Sequence, residues 1–370
     1  MKKSELILCL AAALLCCGCM PNTQLEERAI VQAAGVDFAD GEYHLTLQIF
    51  DPGGTTENAG GSDAYLLTEG RGTSLTQATA QAAQSGKEIY LGSCQVLILG
   101  TGTTQNLRDV LDYFNSRPQT RATMMVCAAK SMAADVLKIA DGKAKPSPAV
   151  LCEQELRLAE EEKRLPACRL LDLLSALETE GWDGVLPLLE VEGTGSDAKP
   201  MLQGALVLQN NTSALELNTN EAQLLGMTGS GRGNVMLEVK IDQGTAASVL
   251  LEDFDTKLSA QLKNGQPHLT VEMKMKGRVS QWEGRAVDDL NHKQLTAAQQ
   301  RAARQMTEEM NSLLQRLCTA GCDPLRFGER LQRRHPKDWN RLGGQNWPNI
   351  LQKAEWNIEV SCALTTFSGH

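Results

Sequence analysis

After Leu15 the sequence has no apolar run near the roughly 20 residues that a membrane span needs, so the rest of the chain is expected to stay outside the bilayer. Basic charge is also short: 36 Lys and Arg against 45 Asp and Glu give a formal −9 over 370 residues, which argues against nucleic acid as a partner. No Gly-x-Ser-x-Gly elbow occurs to strain a serine nucleophile onto a sharp turn. No glycine loop ends in Gly-Lys-Ser/Thr to cradle phosphates; Gly229–Gly233 (GSGRG) reads as a loop and Gly70–Gly72 (GRG) as a turn. Histidines are few and scattered, at 44, 268, 292, 335 and 370, too far apart to complete a tetrahedral metal site. Cys318 and Cys322 lie one helical turn apart, but no second pair stands near them. No catalytic residue, metal or cofactor is therefore expected, and the many carboxylates read as surface charge.

What the chain does have begins at its N-terminus. Lys2 and Lys3 precede an apolar core from Leu6 to Leu15, the length of a signal-peptide h-region. LLCCGCMPN follows, Leu14 to Asn22, and only Cys19 there follows a small residue, Gly18, with leucines just upstream. This resembles a bacterial lipobox, departing from it at Cys16. The resemblance implies a diacylglyceryl group on the Cys19 thiol and cleavage after Gly18; the alternative is an ordinary signal peptide with cysteines in its apolar core. Losing Lys2, Lys3 and Glu5 with residues 1–18 would take the charge from −9 to −10. Seven cysteines then remain besides Cys19, an odd and scattered set that is no disulfide framework; Cys94, Cys127 and Cys362 fall in apolar runs and read as buried small hydrophobes.

Periodicity predicts a mixed α/β or α+β protein of more than one domain, with antiparallel-rich sheets flanked by helices. Ile30–Asp37 and the alternating run Tyr43–Ile49 form a hairpin about Asp40-Gly41, with His44, Thr46 and Gln48 on its open face. The glycine-rich stretch 51–64 reads as a loop. Helices are expected at 74–85, 107–115 and 133–139, and strands at 94–100 and 123–129. A Pro-containing connector at 141–150 leads to a charged helical stretch reaching Glu180. GTGSDAKP, 193–200, marks a boundary between an N-terminal domain, 19–192, and a C-terminal one, 200–370. In the latter, strands are expected at 202–209, 235–241, 246–251 and 268–279, with an Asn264-Gly265 turn before the last. A long amphipathic helix spans 295–317, Asp323-Pro324 caps a second helix, and Trp356–Leu364 alternates as a closing strand.

One basic stretch stands out. Arg326, Arg330, Arg333, Arg334, Lys337 and Arg341 face only Glu329 and Asp338, a local +4. Helical spacing puts Arg326, Arg330 and Arg334 on one face, either merely solvated or facing anionic headgroups or an acidic loop of a partner. Trp339 and Trp347 invite a cation-cage reading, against which stands core packing.

The last fifty residues carry Asp323, Phe327, Gly328, a basic helix, Pro336, Trp339, Trp347 and a final strand ending near Gly369. This order resembles the C-terminal signature of the Ger(x)C family, lipoprotein C subunits of spore nutrient-germinant receptors. Upstream pieces fit as well: LEERAIVQAAGVD at Leu25–Asp37, GRGTSLTQA at Gly70–Ala78, YLGSCQVLILG at Tyr90–Gly100, VLPLLEV at Val185–Val191 and LQGALVLQ at Leu202–Gln209. Two departures are Met20, where the family commonly has Trp, and the number of thiols. The resemblance implies a non-catalytic subunit anchored by lipid to the outer face of the spore inner membrane. It implies two integral membrane partners, the A and B receptor subunits, and a role in committing the spore to germinate once a nutrient binds. Rival readings are an extracytoplasmic solute-binding lipoprotein, which would take a small-molecule ligand directly, and an exported hydrolase of wall material.

Overall fold

A computed structural model describes residues 28–51, 64–83, 86–139, 146–166, 168–210, 212–242, 244–263 and 265–366. The expected leader, Cys19 and Met20, nearly all of the 51–64 loop, half of the 141–150 connector, Asn264, Gly369 and His370 lie outside the described residues.

A nine-stranded mixed sheet forms the first half. Its spine is parallel: β1 (Arg28–Ala39), β5 (Val96–Leu99), β6 (Met125–Ala129) and β7 (Gly184–Glu192), with the short β4 (Glu88–Tyr90) also pairing β1. Antiparallel hairpins extend both sides, through β2 (Glu42–Phe50) and β3 (Tyr65–Gly72) on one, and β8 (Lys199–Gln209) and β9 (Thr212–Asn218) on the other. Strands between parallel neighbours are covered on both faces, and so their sequences are apolar throughout. Val96 and Ile98 point into one core while Leu97 and Leu99 point into another. Helices α1 (Leu75–Ala82), α2 (Leu107–Asn115) and α5 (Leu170–Glu178) cover the Leu97 face. On the Val96 face lie α3 (Ala133–Leu137), α4 (Pro148–Glu161) and α6 (Thr219–Met227).

This double cover changes the reading of the first hairpin. Thr46 and Gln48, expected on an open face, are 3% and 0% exposed. Gln48 Nε2 donates to Ser147 Oγ at 3.0 Å, and its Oε1 accepts the Ala149 N–H at 2.9 Å, so a buried amide holds the start of α4 on the sheet. Asp37 serves α3 in the same way. Its carboxylate accepts the N–H groups of Thr101, Ala133 and Ala134 at 3.0, 2.8 and 3.2 Å. A Cβ on Gly100 would lie 1.9 Å from Asp37 Oδ1 and 2.3 Å from the Ala133 nitrogen, which explains the glycine that closes that strand. Likewise Gly70 and Gly72 belong to β3 rather than to a turn: α1 packs so closely that a Cβ at Gly70 would meet the Ala78 carbonyl at 1.9 Å.

The second sheet is β10 (Gly231–Asp242), β11 (Thr245–Lys263), β12 (Gln266–Trp282) and β13 (Glu355–Thr365); the first three meander antiparallel and β13 returns parallel to β12. Helix α7 (His292–Ala320) lies along it, about 44 Å long at 1.5 Å per residue. Ala302, Met306, Met310, Leu313 and Leu317 form its buried stripe. The helix opens with an Asn291/Gln294 capping box and closes on Gly321, left-handed at φ 69°. Short helices α8 (Phe327–Arg334), α9 (Pro336–Leu342) and α10 (Trp347–Leu351) complete this half.

The expectation of mixed sheets flanked by helices holds, but the boundary at 193–200 does not divide the sheets. That segment is the turn between β7 and β8, with Glu192 opposite Lys199, and the apolar residues of β8 continue the first sheet. The core on the Val96 face runs without a break into the core beneath β10–β13. Of the seven described cysteines six are buried, Cys362 is half-buried, and all are free thiols. Burial pushes the thiols of Cys94, Cys152 and Cys168 up to about 12.

Replacing Gly100 by alanine forces Asp37 off the start of α3, and should cost about 2 kcal/mol or more, read as a lower urea midpoint with unchanged slope.

Candidate functional site

The signature residues converge on the segment that leads into β7. Asp323, 2% exposed, accepts the Phe327 N–H on Oδ1 at 3.0 Å and the Gly328 N–H on Oδ2 at 2.7 Å. Trp347 Nε1 donates to the same Oδ2 at 2.9 Å. Backbone and side chain then reciprocate with Asp183: the Asp323 N–H donates to Asp183 Oδ2 at 2.6 Å, and the Asp183 N–H to the Asp323 carbonyl at 3.0 Å. Beside them the Glu329 N–H donates to the Gly181 carbonyl at 3.0 Å. Gly181 and Gly328 stand back to back, and a Cβ on either would approach the other's backbone to 2.6 Å. Glycine is required there twice over, since Gly181 also has φ 74°.

The two tryptophans sit 5.4 Å apart between ring centres, tilted by 45°, each 2% exposed. Trp339 Nε1 donates to Glu180 Oε2 at 3.1 Å. Both indole N–H groups are thus used inside the protein and both faces are packed, which leaves no aromatic cage. Phe327 is also buried, and Pro336 opens α9 at its first turn, where no N–H is needed.

Two placements differ from expectation. Asp323 is not the cap residue of a helix begun by Pro324; α8 begins at Phe327, after Arg326 in a left-handed conformation at φ 63°. Pro324 and Leu325 make a tight approach, and Asp323 reaches forward across it to the first two helical N–H groups. The arginines, too, do not form one free helical face. Arg326, outside the helix, stacks 3.9 Å above the Trp182 ring and donates twice to Glu329, at 2.8 and 3.0 Å. Arg330 is half-buried, its Nη1 donating to the carbonyls of Leu325 and Arg326 at 2.8 and 3.0 Å. Arg334 is exposed at the helix end. What brings the set together is a cavity of about 420 Å³ lined by Arg326, Glu329, Arg330, Arg333 and Arg334.

The acceptor side of the junction, Glu180, Gly181 and Asp183, was not singled out in the sequence. Gly-Trp-Asp before an apolar run is the only local signal, and it reads as a turn. In the fold, burial pushes the Asp183 carboxyl up to about 7, with the neighbouring Asp323 charge adding to the rise. Asp323 rises to about 6 by burial, against the opposing pull of its three N–H donors and Arg330.

Comparison with known proteins extends the picture to the whole chain. Residues 22–191 match the family described as spore germination protein N-terminal domain, and residues 203–368 match spore germination B3/GerAC-like, C-terminal. Spore germination protein B3 of Bacillus subtilis (strain 168) is 22% identical over 378 residues, covering 95% of this chain and 94% of its own. Spore germination protein KC of the same organism is 23% identical, covering 91% and 88%. A solved structure titled as that of the GerBC protein superposes with a TM-score of 0.59 at 17% identity, over 90% of this chain and 96% of its own. That likeness shows a shared fold.

Both raised carboxyls bind protons more tightly when folded than when unfolded. Their contribution to stability is complete well below pH 4 and is lost as pH rises through 6 to 7. Asp183→Asn should therefore raise the Tm at pH 8 by about 2 °C or more, with the gain shrinking at pH 5, as followed by calorimetry. Asp323→Leu leaves three buried donors without an acceptor, and should lower stability by about 3 kcal/mol or more at pH 7 in urea unfolding.

Proposed function

Since the chain belongs to the spore germination B3/GerAC-like family, with the two family matches together spanning most of its length, we propose that it is the non-catalytic C subunit of a nutrient germinant receptor. It is held on the outer face of the spore inner membrane by a diacylglyceryl group on Cys19 and works through contact with the integral membrane A and B subunits. The observation that carries this reading is how the signature residues are used. Asp323, Phe327, Gly328, Trp339 and Trp347 are all turned inward, joining the C-terminal helices to the entry of β7. They make one continuous body of two sheets, a construction suited to transmitting contact rather than to turning over a substrate.

The lipid supplies the attachment to the membrane. No helix among the described residues is long and apolar enough to cross a membrane. Two acyl chains, at about 0.8 kcal/mol per buried methylene, anchor stably where one chain binds only marginally. A body so tethered meets its partners in two dimensions, and weak surface contacts then suffice because the effective concentration is high.

In cells, Cys19→Ala should move the protein from the membrane fraction to the soluble one and abolish the germination response, while the fold, read by circular dichroism, is unchanged. A variant that stays membrane-bound, or intact protein whose Cys19 carries no lipid by mass spectrometry, would sink the proposal.

A further inference from the structure

The arginine-lined cavity is not isolated. A second cavity of about 450 Å³ shares Arg326 and Arg330 with it, and its other walls include Leu173, Leu225, Leu258 and Leu325. Side by side they form an open groove with a cationic end and a mixed end, where the leucines stand beside Glu160, Lys163 and Asp172, and each cavity is within the size range of small-ligand sites. The cationic end has more charge than the protein neutralises. Glu329 is its single acid, and it is shared between Arg326 and Arg333, at 2.8 and 3.5 Å.

Arg330 is the telling member. Half-buried at the seam of the two cavities, it forms no carboxylate ion pair among the described residues. Among the described residues its hydrogen bonds go to two backbone carbonyls and use Nη1 alone. A guanidinium brought part-way out of water without an anion loses hydration that two carbonyls on one nitrogen replace only in part. Burial and the charge of Arg326 accordingly hold it below its ordinary value, only partly offset by Glu329 and Asp323 at longer range. Guanidinium groups arranged in this way match the paired oxygens of phosphate or carboxylate.

We infer that Arg326, Arg330, Arg333 and Arg334 form the head-group end of a binding site for an amphiphilic anion, a phosphate or carboxylate whose apolar part lies along the leucines of the neighbouring cavity. Arg330 and Arg334 bind the oxyanion, and Arg326, already committed to Glu329 and the Trp182 face, forms the wall between head and tail. The site is independent of the anchoring proposal: it stands or falls on binding alone. Two sources share this chemistry, a soluble acid and the headgroup of an anionic lipid.

The test is calorimetric titration of the full chain, carried in phosphatidylcholine vesicles, with inorganic phosphate and with n-butyl phosphate. Saturable binding of butyl phosphate, about tenfold tighter than inorganic phosphate, is expected, and Arg330→Met should weaken it by about tenfold. Should that variant misfold, the exposed pair Arg333→Met and Arg334→Met, tested together, should weaken binding several-fold with no change in Tm. Adding phosphatidylglycerol to the vesicles separates the sources. Competition with butyl phosphate assigns the site to a lipid headgroup, and undiminished binding assigns it to a soluble anion. Absence of saturable binding by the wild-type chain, equal affinity for the two phosphates, or wild-type affinity in a folded arginine variant would overturn the inference.

Discussion

A buried carboxylate that accepts three N–H groups while its own backbone exchanges two hydrogen bonds with a second aspartate is the knot on which the C-terminal half depends. Asp323 fixes the first turn of α8 through Phe327 and Gly328, fixes α10 through Trp347, and fixes both to the strand entry at Asp183. A carboxylate so placed is hard to replace. Any neutral side chain of similar size offers fewer acceptors to donors that have no water to turn to. The back-to-back glycines follow from the same requirement, because the two backbones must come close enough for the Asp183 and Glu329 bonds to form.

The knot also explains why two sheets behave as one body. The apolar face of the first sheet that carries Val96 and Ile98 continues into the core under α7, so the second sheet shares one core with that face. Strands β8 and β9 make the continuity physical: they arrive late in the chain, yet they extend the first sheet before β10 begins the second. A push on the arginine-rich end of α8 therefore has a packed path, through Phe327 and the tryptophan pair, to the strands of the first sheet.

Elements with a clean period were legible in the sequence. The first hairpin, the helix at 107–115, the stripe of α7 and the alternation of β12 and β13 all follow from apolar spacing. Strands β3, β7 and β9 were not read as such. In β3 the two glycines look like a turn, and only the close approach of α1 explains them. For β11, about three times as long as expected, the acidic and polar run after Leu251 hides a strand whose outer face is simply exposed. The site was half legible: the signature order named Asp323, Phe327, Gly328, Trp339 and Trp347, but not what they hold.

By itself the sequence determined which residues are apolar, at what spacing, and in what order the signature appears, because those properties reside in the chain and survive any arrangement of its parts. It also placed Cys19, alone of three neighbouring cysteines, after a glycine at the end of an apolar run. Only the tertiary structure decided that Gln48 and Asp37 are buried caps and that Asp323 faces Asp183 across 140 residues. It also turned three evenly spaced arginines into one stacked, one half-buried and one exposed side chain. Partners so distant in sequence leave no local trace in it, since a hydrogen bond across the fold asks only that two backbones meet, and that meeting is fixed by the packing of everything between them.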